Sequence, residues 1–354
     1  MPASPSSAHA RQAIALAIGL VGAIAANALG IPLPWMLGPM VIVLVVAVAG
    51  APVIPPVTLR ALVVPILGVM LGSGFHPGLF AHIADWALTL LILPVFVAAA
   101  FSCSALIYRK IGRYDIVTAY FSAAPGGLND MMILGAEAGG DEKRIALAHA
   151  SRVFIVVTFV AFFYASFLGI SIAGEDRPYI GFADVPGADL AILAACAVLG
   201  AWLGPKIGLP APQILGPMIL SGIAHLTALT DAPPPTLAVN TAQLVMGTVI
   251  GCRFAGARPR EIARDMALAA AASGLMLVIA LATAFAVTSL TGIHLSETFL
   301  TFSPGGLPEM SLLALSMNAD IAYVATIHIV RITLVIAVAP VVFRLVRPNR
   351  ESER

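Results

Sequence analysis

One short stretch occurs twice in this chain, and its second appearance constrains the architecture more than any other feature. Residues 122–130 read Ser-Ala-Ala-Pro-Gly-Gly-Leu-Asn-Asp, and residues 302–309 read Phe-Ser-Pro-Gly-Gly-Leu-Pro-Glu. Each Pro-Gly-Gly-Leu lies in apolar sequence and ends at a carboxylate, Asp130 or Glu309. A hydrophobic segment follows each, carrying a histidine and, three residues on, an arginine: His149 and Arg152, then His328 and Arg331. The differences 309−130, 328−149 and 331−152 are all 179. The likeness spreads beyond the motif. Residues 30–40, Gly-Ile-Pro-Leu-Pro-Trp-Met-Leu-Gly-Pro-Met, match residues 208–218, Gly-Leu-Pro-Ala-Pro-Gln-Ile-Leu-Gly-Pro-Met, and Gly68 and Gly72 match Gly247 and Gly251. The chain is therefore an internal duplication of roughly 160 residues per copy.

What the copies fold into follows from their apolarity. Of 354 residues, 60% are hydrophobic and only 10% charged, against about 25% charged in a soluble domain. Ten apolar segments read as spanning helices, at 12–30, 36–52, 59–75, 84–108, 144–169, 188–207, 213–230, 237–253, 266–291 and 321–344, each near the length that crosses a bilayer. The short alternating segments of a membrane barrel are absent. The expected fold class is an all-α polytopic membrane protein, made of two inverted repeats. Each repeat has five transmembrane helices plus one re-entrant or broken-helix Pro-Gly-Gly hairpin. The expected divisions are 1–172 for the first repeat, 173–187 for an extracytoplasmic linker, 188–346 for the second repeat and 347–354 for a cytoplasmic tail. A net charge of +1 argues against a nucleic-acid surface. Cys103, Cys196 and Cys252 lie in or beside apolar segments and suggest neither a disulfide framework nor a metal cluster. No cofactor is implied, and no cleavable signal peptide is expected.

Loop charge sets the orientation, because Lys and Arg collect on the cytoplasmic side. In the first half the basic loop follows the fourth segment, with Arg109, Lys110 and Arg113. In the second it follows the third, with Arg253, Arg258, Arg260 and Arg264. Alternate loops carry the charge, as inverted halves require. Five crossings plus one re-entrant hairpin per half place every basic cluster inside, with both termini cytoplasmic and the acidic run at 174–178 outside. The expected location is the bacterial inner membrane.

Proline removes a backbone donor and glycine permits unusual dihedrals, so Pro125, Gly126 and Gly127, with Pro304, Gly305 and Gly306, should break their helices. Freed backbone groups cannot face lipid, so they face protein or a watery cavity. Hairpins entering from opposite sides would bring their tips together near the midplane, where helix N-termini suit an anion; the alternative is a packing kink. Asp130, beside Asn129, and Glu309 are candidates for a proton or cation site, or hairpin ends reaching the headgroups. Arg152 and Arg331, placed within membrane segments, need a partner, which could be a substrate carboxylate, sulfonate or phosphate, or Asp130 and Glu309 in structural ion pairs. His149 and His328 could relay protons or merely hydrogen-bond within a helix interface. Asp141 and Asp320 read as helix caps. Leu-Gly-Pro-Met at 37–40 and 215–218 reads as a packing element.

At residues 34–40 (Pro-Trp-Met-Leu-Gly-Pro-Met), 124–130 (Ala-Pro-Gly-Gly-Leu-Asn-Asp), the segment bearing His149 and Arg152, and 303–310 (Ser-Pro-Gly-Gly-Leu-Pro-Glu-Met), the chain resembles the bacterial membrane AbrB-duplication family. Members of that family carry the labels ammonia monooxygenase and regulator of an alkylation-response gene. More distantly, inverted five-helix halves with glycine-rich hairpins resemble glutamate and citrate secondary transporters, a likeness of fold alone. The expected activity is secondary transport of a small anionic organic solute by alternating access; the alternative is a membrane sensor affecting gene expression. An oxygenase would need clustered metal ligands, which the histidine spacing does not provide, and no enzymatic role is expected. Expected partners are the solute, a proton or sodium ion, the lipid bilayer and a second copy of the chain.

Overall fold

The computed structural model describes residues 5–78, 83–167, 179–256, 258–317 and 319–346. The acidic linker at 174–178 and the tail arginines Arg347, Arg350 and Arg354 lie outside the described residues. Within them the chain is all helix, in fourteen α-helices. The first half contains α1 (Pro5–Ala28), α2 (Pro34–Val48), α3 (Val57–Gly72), α4 (Ala87–Leu106), α5 (Ile116–Ala123), α6 (Leu128–Glu137) and α7 (Glu142–Phe167). The second contains α8 (Gly187–Lys206), α9 (Pro212–Leu226), α10 (Thr236–Cys252), α11 (Pro259–Thr291), α12 (Leu295–Phe302), α13 (Leu307–Ser316) and α14 (Ile321–Val346). A 3₁₀ turn (Ile83–Trp86) leads into α4 and a π turn (Ile107–Ile111) follows it.

Each of the ten expected segments holds one of these helices, and both Pro-Gly-Gly stretches separate two short helices. The helices α5, α6 and α7 recur as α12, α13 and α14 with an unchanged offset: 295−116, 307−128 and 321−142 are each 179. Even the backbone irregularities repeat. The residue before α2, Leu33, and the one before α9, Ala211, both adopt left-handed φ, at 47° and 44°, a conformation L-residues rarely take. Six helices, α1, α4, α7, α8, α11 and α14, have the length and apolarity to cross a membrane, making this a multi-pass membrane protein. They fall at corresponding places in the two halves. The shorter α2, α3, α9 and α10 have 15–17 residues, and at about 1.5 Å per residue span only roughly 22–26 Å. Two helices begin a full seven residues earlier than apolarity predicts (12−5 and 266−259). α1 starts at Pro5 and α11 at Pro259, because a helix runs on through polar sequence once its apolar part is anchored.

Packing divides the helices into two bodies that cut across the duplication. The first contains α1, α2, α3, α8, α9 and α10. Here α1 crosses α2 and α8 crosses α9 at paired glycines: a Cβ on Gly38 would strike the backbone oxygen of Gly22, and one on Gly216 that of Gly200. The third helix of each half packs on the second helix of the other. Gly68 of α3 lies against the carbonyl of Ile214 in α9, and Gly247 of α10 against that of Met36 in α2, so the halves interlock. The second body holds α4–α7 and α11–α14, with α11 against α4 and α7, and α4 against α14. The bodies meet where α3 touches α13 and α14, and again where α2 and Phe254, just after α10, pack on α7 and α11.

Polar contacts at the two ends of the second body fix how its helices run. At one end the Arg264 guanidinium donates to the Gly112 carbonyl (2.6 Å), Lys143 pairs with Glu261 (3.6 Å), and Arg144 lies 5.1 Å from the centre of the Tyr114 ring. This end gathers the finish of α4 with the starts of α7 and α11. At the other end Thr89 and Tyr323 share a hydroxyl hydrogen bond (2.8 Å), and the Tyr164 hydroxyl donates to the Ser296 carbonyl (2.7 Å). That end gathers the starts of α4, α12 and α14 with the finish of α7.

Candidate functional site

Each helix break exposes carbonyls that would otherwise bond one turn on. Ala124 and Ser303, at the C-caps of α5 and α12, have extended ψ of 123° and 134°. The following long helix supplies the missing donors. His149 Nε2 donates to the Phe121 carbonyl (2.8 Å) and Arg152 Nη1 to that of Ala124 (3.0 Å). In the second half His328 Nε2 donates to Leu300 (3.1 Å), Arg331 Nη1 to Ser303 (2.7 Å) and Arg331 Nη2 to Gly305 (2.8 Å). The His–Arg spacing of three puts both groups on one face of the helix. They act as a double cap, with the cation placed at the negative end of a helix dipole.

This wiring changes three sequence expectations. First, Arg152 and Arg331 bond backbone carbonyls and histidines, not Asp130 and Glu309, because the orphan carbonyls sit directly across from them. Second, each histidine bridges a carbonyl and a guanidinium. Arg152 Nη2 lies 2.8 Å from His149 Nδ1 and Arg331 Nη2 lies 3.0 Å from His328 Nδ1. A guanidinium only donates and a carbonyl only accepts, so each ring is a neutral Nε2–H tautomer. The histidines thus orient the arginines in this conformation. Third, the motif glycines are not in left-handed backbone: among the described residues the glycines at positive φ are Gly30, Gly50, Gly139, Gly208, Gly256 and Gly292. They provide space. A Cβ on Gly127 would strike the Asp130 carboxylate and one on Gly306 that of Glu309; one on Gly126 would lie 2.8 Å from Val335, and one on Gly305 2.6 Å from Met310. The room at the second glycine lets each carboxylate fold back over the N-terminus of its own helix, against Gly127 or Gly306. The N-termini offered to an anion by the sequence reading are therefore partly filled from within.

The two breaks line one cavity of 480 Å³. Pro125, Gly126, Gly127, Asp130, His149 and Arg152 contribute from the first half, and Pro304, Gly305, Gly306, Glu309 and Arg331 from the second. His328 stands behind the lining, fully buried, and the Asn129 side chain lies outside the described residues. Arg152 and Arg331 are 6% and 2% exposed, and the Nε of each is buried without a partner. Glu309 is buried and Asp130 half-buried. The opposite wall comes from the first body: Arg60 and Val64 of α3, Pro212, Gln213 and Ile214 of α9, and Met246, Val249 and Ile250 of α10, with Arg253 at the α10 C-cap. Arg60, Gln213 and Arg253 escape the sequence reading. Arg60 is a lone cation near the start of an apolar segment, a recoverable signal; Arg253 hides among the basic loop residues. Arg60 is close enough for its charge to act on Glu309.

Outside the cavity, the remaining motifs are structural. Asp141 caps α7 by accepting the Arg144 N–H (3.1 Å) and Asp320 caps α14 by accepting that of Tyr323 (3.0 Å). Residues 37–40 and 215–218 are buried at the glycine crossings. A second cavity of 790 Å³, between α4, α5 and α14, is almost wholly apolar, with Arg109 on its edge and Pro125 as a wall shared with the first.

Two curated proteins of similar length resemble the chain throughout. It is 24% identical to the uncharacterized protein YhjN of Bacillus subtilis (strain 168), over 93% of this chain and 91% of that one. It is 23% identical to a protein of Escherichia coli (strain K12) with the provisional name regulator AbrB, over 90% of this chain and 91% of that one. A family profile described as transition state regulatory protein AbrB matches residues 35–347, and this duplicated, multi-pass helical chain belongs to that AbrB family.

Proposed function

We propose that the protein is a secondary transporter of a small organic anion, carried by alternating access through the cavity between the two Pro-Gly-Gly breaks. One observation carries the reading: two buried arginines at equivalent repeat positions line a single cavity whose opposite wall belongs to a different body. Intramembrane ionisable groups and broken helices at matching places in two repeats mark substrate pathways. The end-to-end contacts support inverted halves. α4 finishes where its counterpart α11 starts, and α7 starts at the end opposite to α14. On this reading α5 and α12 enter from opposite faces as re-entrant hairpins, and both termini are cytoplasmic in a bacterial inner membrane. Alternating access is a shift of the hairpin-bearing body against the interlocked glycine-crossed body. Asp130 and Glu309 are the groups through which a proton or sodium ion couples.

The test is uptake by proteoliposomes of an organic-anion panel, with and without a proton or sodium gradient. Gradient-driven accumulation is the expected result, and absence of flux for the whole panel would overturn the reading. The regulator reading is separated by gene deletion: altered transcription with unaltered solute accumulation would favour it.

A further inference from the structure

We propose that the transported solute is a dianion with two separate anionic groups, a short-chain dicarboxylate being the simplest member of the class; this rests on the cavity being the solute site. With no coupling cation bound, the lining residues bear four guanidiniums, Arg60, Arg152, Arg253 and Arg331, and two carboxylates, Asp130 and Glu309, giving a formal charge of 4−2 = +2. The surplus sits deep. Arg60 acts on Glu309, and Arg60, Arg253 and Asp130 are partly exposed. Arg152 and Arg331 are the least exposed of the four arginines, and their donors go to neutral carbonyls and neutral histidines.

Removing charge from water without a counter-charge costs several kcal/mol per ion, so a cavity with two unneutralised guanidiniums selects a ligand carrying two negative charges. A monoanion would leave one guanidinium uncompensated, and a trianion would overshoot. The donors are also separate. Each guanidinium is tied to the carbonyls of its own hairpin, Arg152 to Ala124 and Arg331 to Ser303 and Gly305, so each half presents one cation to the cavity. That geometry offers one charge-assisted bond per half, which two anionic groups on one chain satisfy and a single compact dianion does not. The volume of 480 Å³ lies toward the lower end of small-molecule sites, about 300–1,000 Å³, and suits a compact acid.

The experiment uses the full-length protein, with thermal stabilisation in detergent for binding and counterflow in proteoliposomes for transport. The probes are straight-chain dicarboxylates of three to six carbons, monocarboxylates of the same lengths, a tricarboxylate and inorganic sulfate. The expected result is that one dicarboxylate binds and exchanges at least about tenfold better than its length-matched monocarboxylate, the order of one charge-assisted hydrogen bond. Arg60→Gln, which lowers the cavity charge by one without touching the buried pair, should narrow that margin. An equal or better monocarboxylate, or a preference for sulfate or the tricarboxylate, overturns the dianion assignment and leaves transport standing. Dicarboxylate binding without flux supports the assignment and overturns transport, whereas neither binding nor flux of any probe overturns both.

Discussion

The two hairpins share a motif and a wiring diagram yet live in different surroundings. In α13 every residue from Leu307 to Ala314 is buried; among the described side chains of α6 only Met131 and Gly135 are, and Ile133 is 58% exposed. Glu309 is 4% exposed where its counterpart Asp130 is half-buried. Arg331 grips two carbonyls where Arg152 grips one. The N-terminal turn of α13 contains Pro308, and that of α6 contains Asn129 at the same place. One sequence element, duplicated, has thus become a firmly held hairpin against α3 and α14 and a loosely held one at the edge of the body. The second half's hairpin is the more deeply packed anchor, and the more exposed first one is expected to open more readily.

The largest test of this contrast lies in the arginines. Arg331→Ala orphans the carbonyls of Ser303 and Gly305, at about 1–3 kcal/mol each, and so should lower thermal stability in detergent by roughly 2–6 kcal/mol. Arg152→Ala, losing one carbonyl partner, should lower it by roughly 1–3 kcal/mol. Both should reduce solute uptake at least tenfold. Equal destabilisation would break the contrast. The glycines come next. Gly306→Ala drives a methyl into the buried Glu309 carboxylate, an overpacking of about 1–3 kcal/mol, while Gly127→Ala displaces a carboxylate with free space beside it and should cost less than about 1 kcal/mol. Chemical or thermal unfolding of the pair checks the order, and a costlier Gly127→Ala would reverse it. The smallest expected effect is dynamic: amides of α6 should exchange with deuterium faster than those of α13, since local opening tracks the amount of buried apolar contact. Matching rates would remove the distinction between anchor and mobile arm.

Much of the site was legible because charge in apolar sequence is conspicuous. Arg152, Arg331, Asp130 and Glu309 announced themselves by standing in hydrophobic segments at an offset of 179, and the cavity gathers all four. Their bonding was not legible. A sequence pairs opposite charges by default, but the carbonyls freed by Pro125 and Pro304 lie 28 residues before each arginine and histidine, and only the folded hairpin brings them into reach. Gln213 was missed because its role comes from the opposing body, with no local mark; Arg60, a lone cation at the start of an apolar segment, carried a mark but no repeat partner to single it out.

The sequence by itself determined the duplication, the helical membrane class, the two breaks and the identity of the buried charges, since repeat offset and hydrophobic length need no three-dimensional knowledge. Tertiary structure alone decided which helix touches which. Small residues at Gly68 and Gly247 permit close approach by any helix, and nothing in a linear string says that each third helix crosses into the other half. That exchange knits six helices into one body, leaves the hairpins in another, and opens between them the cavity where four arginines and two carboxylates meet.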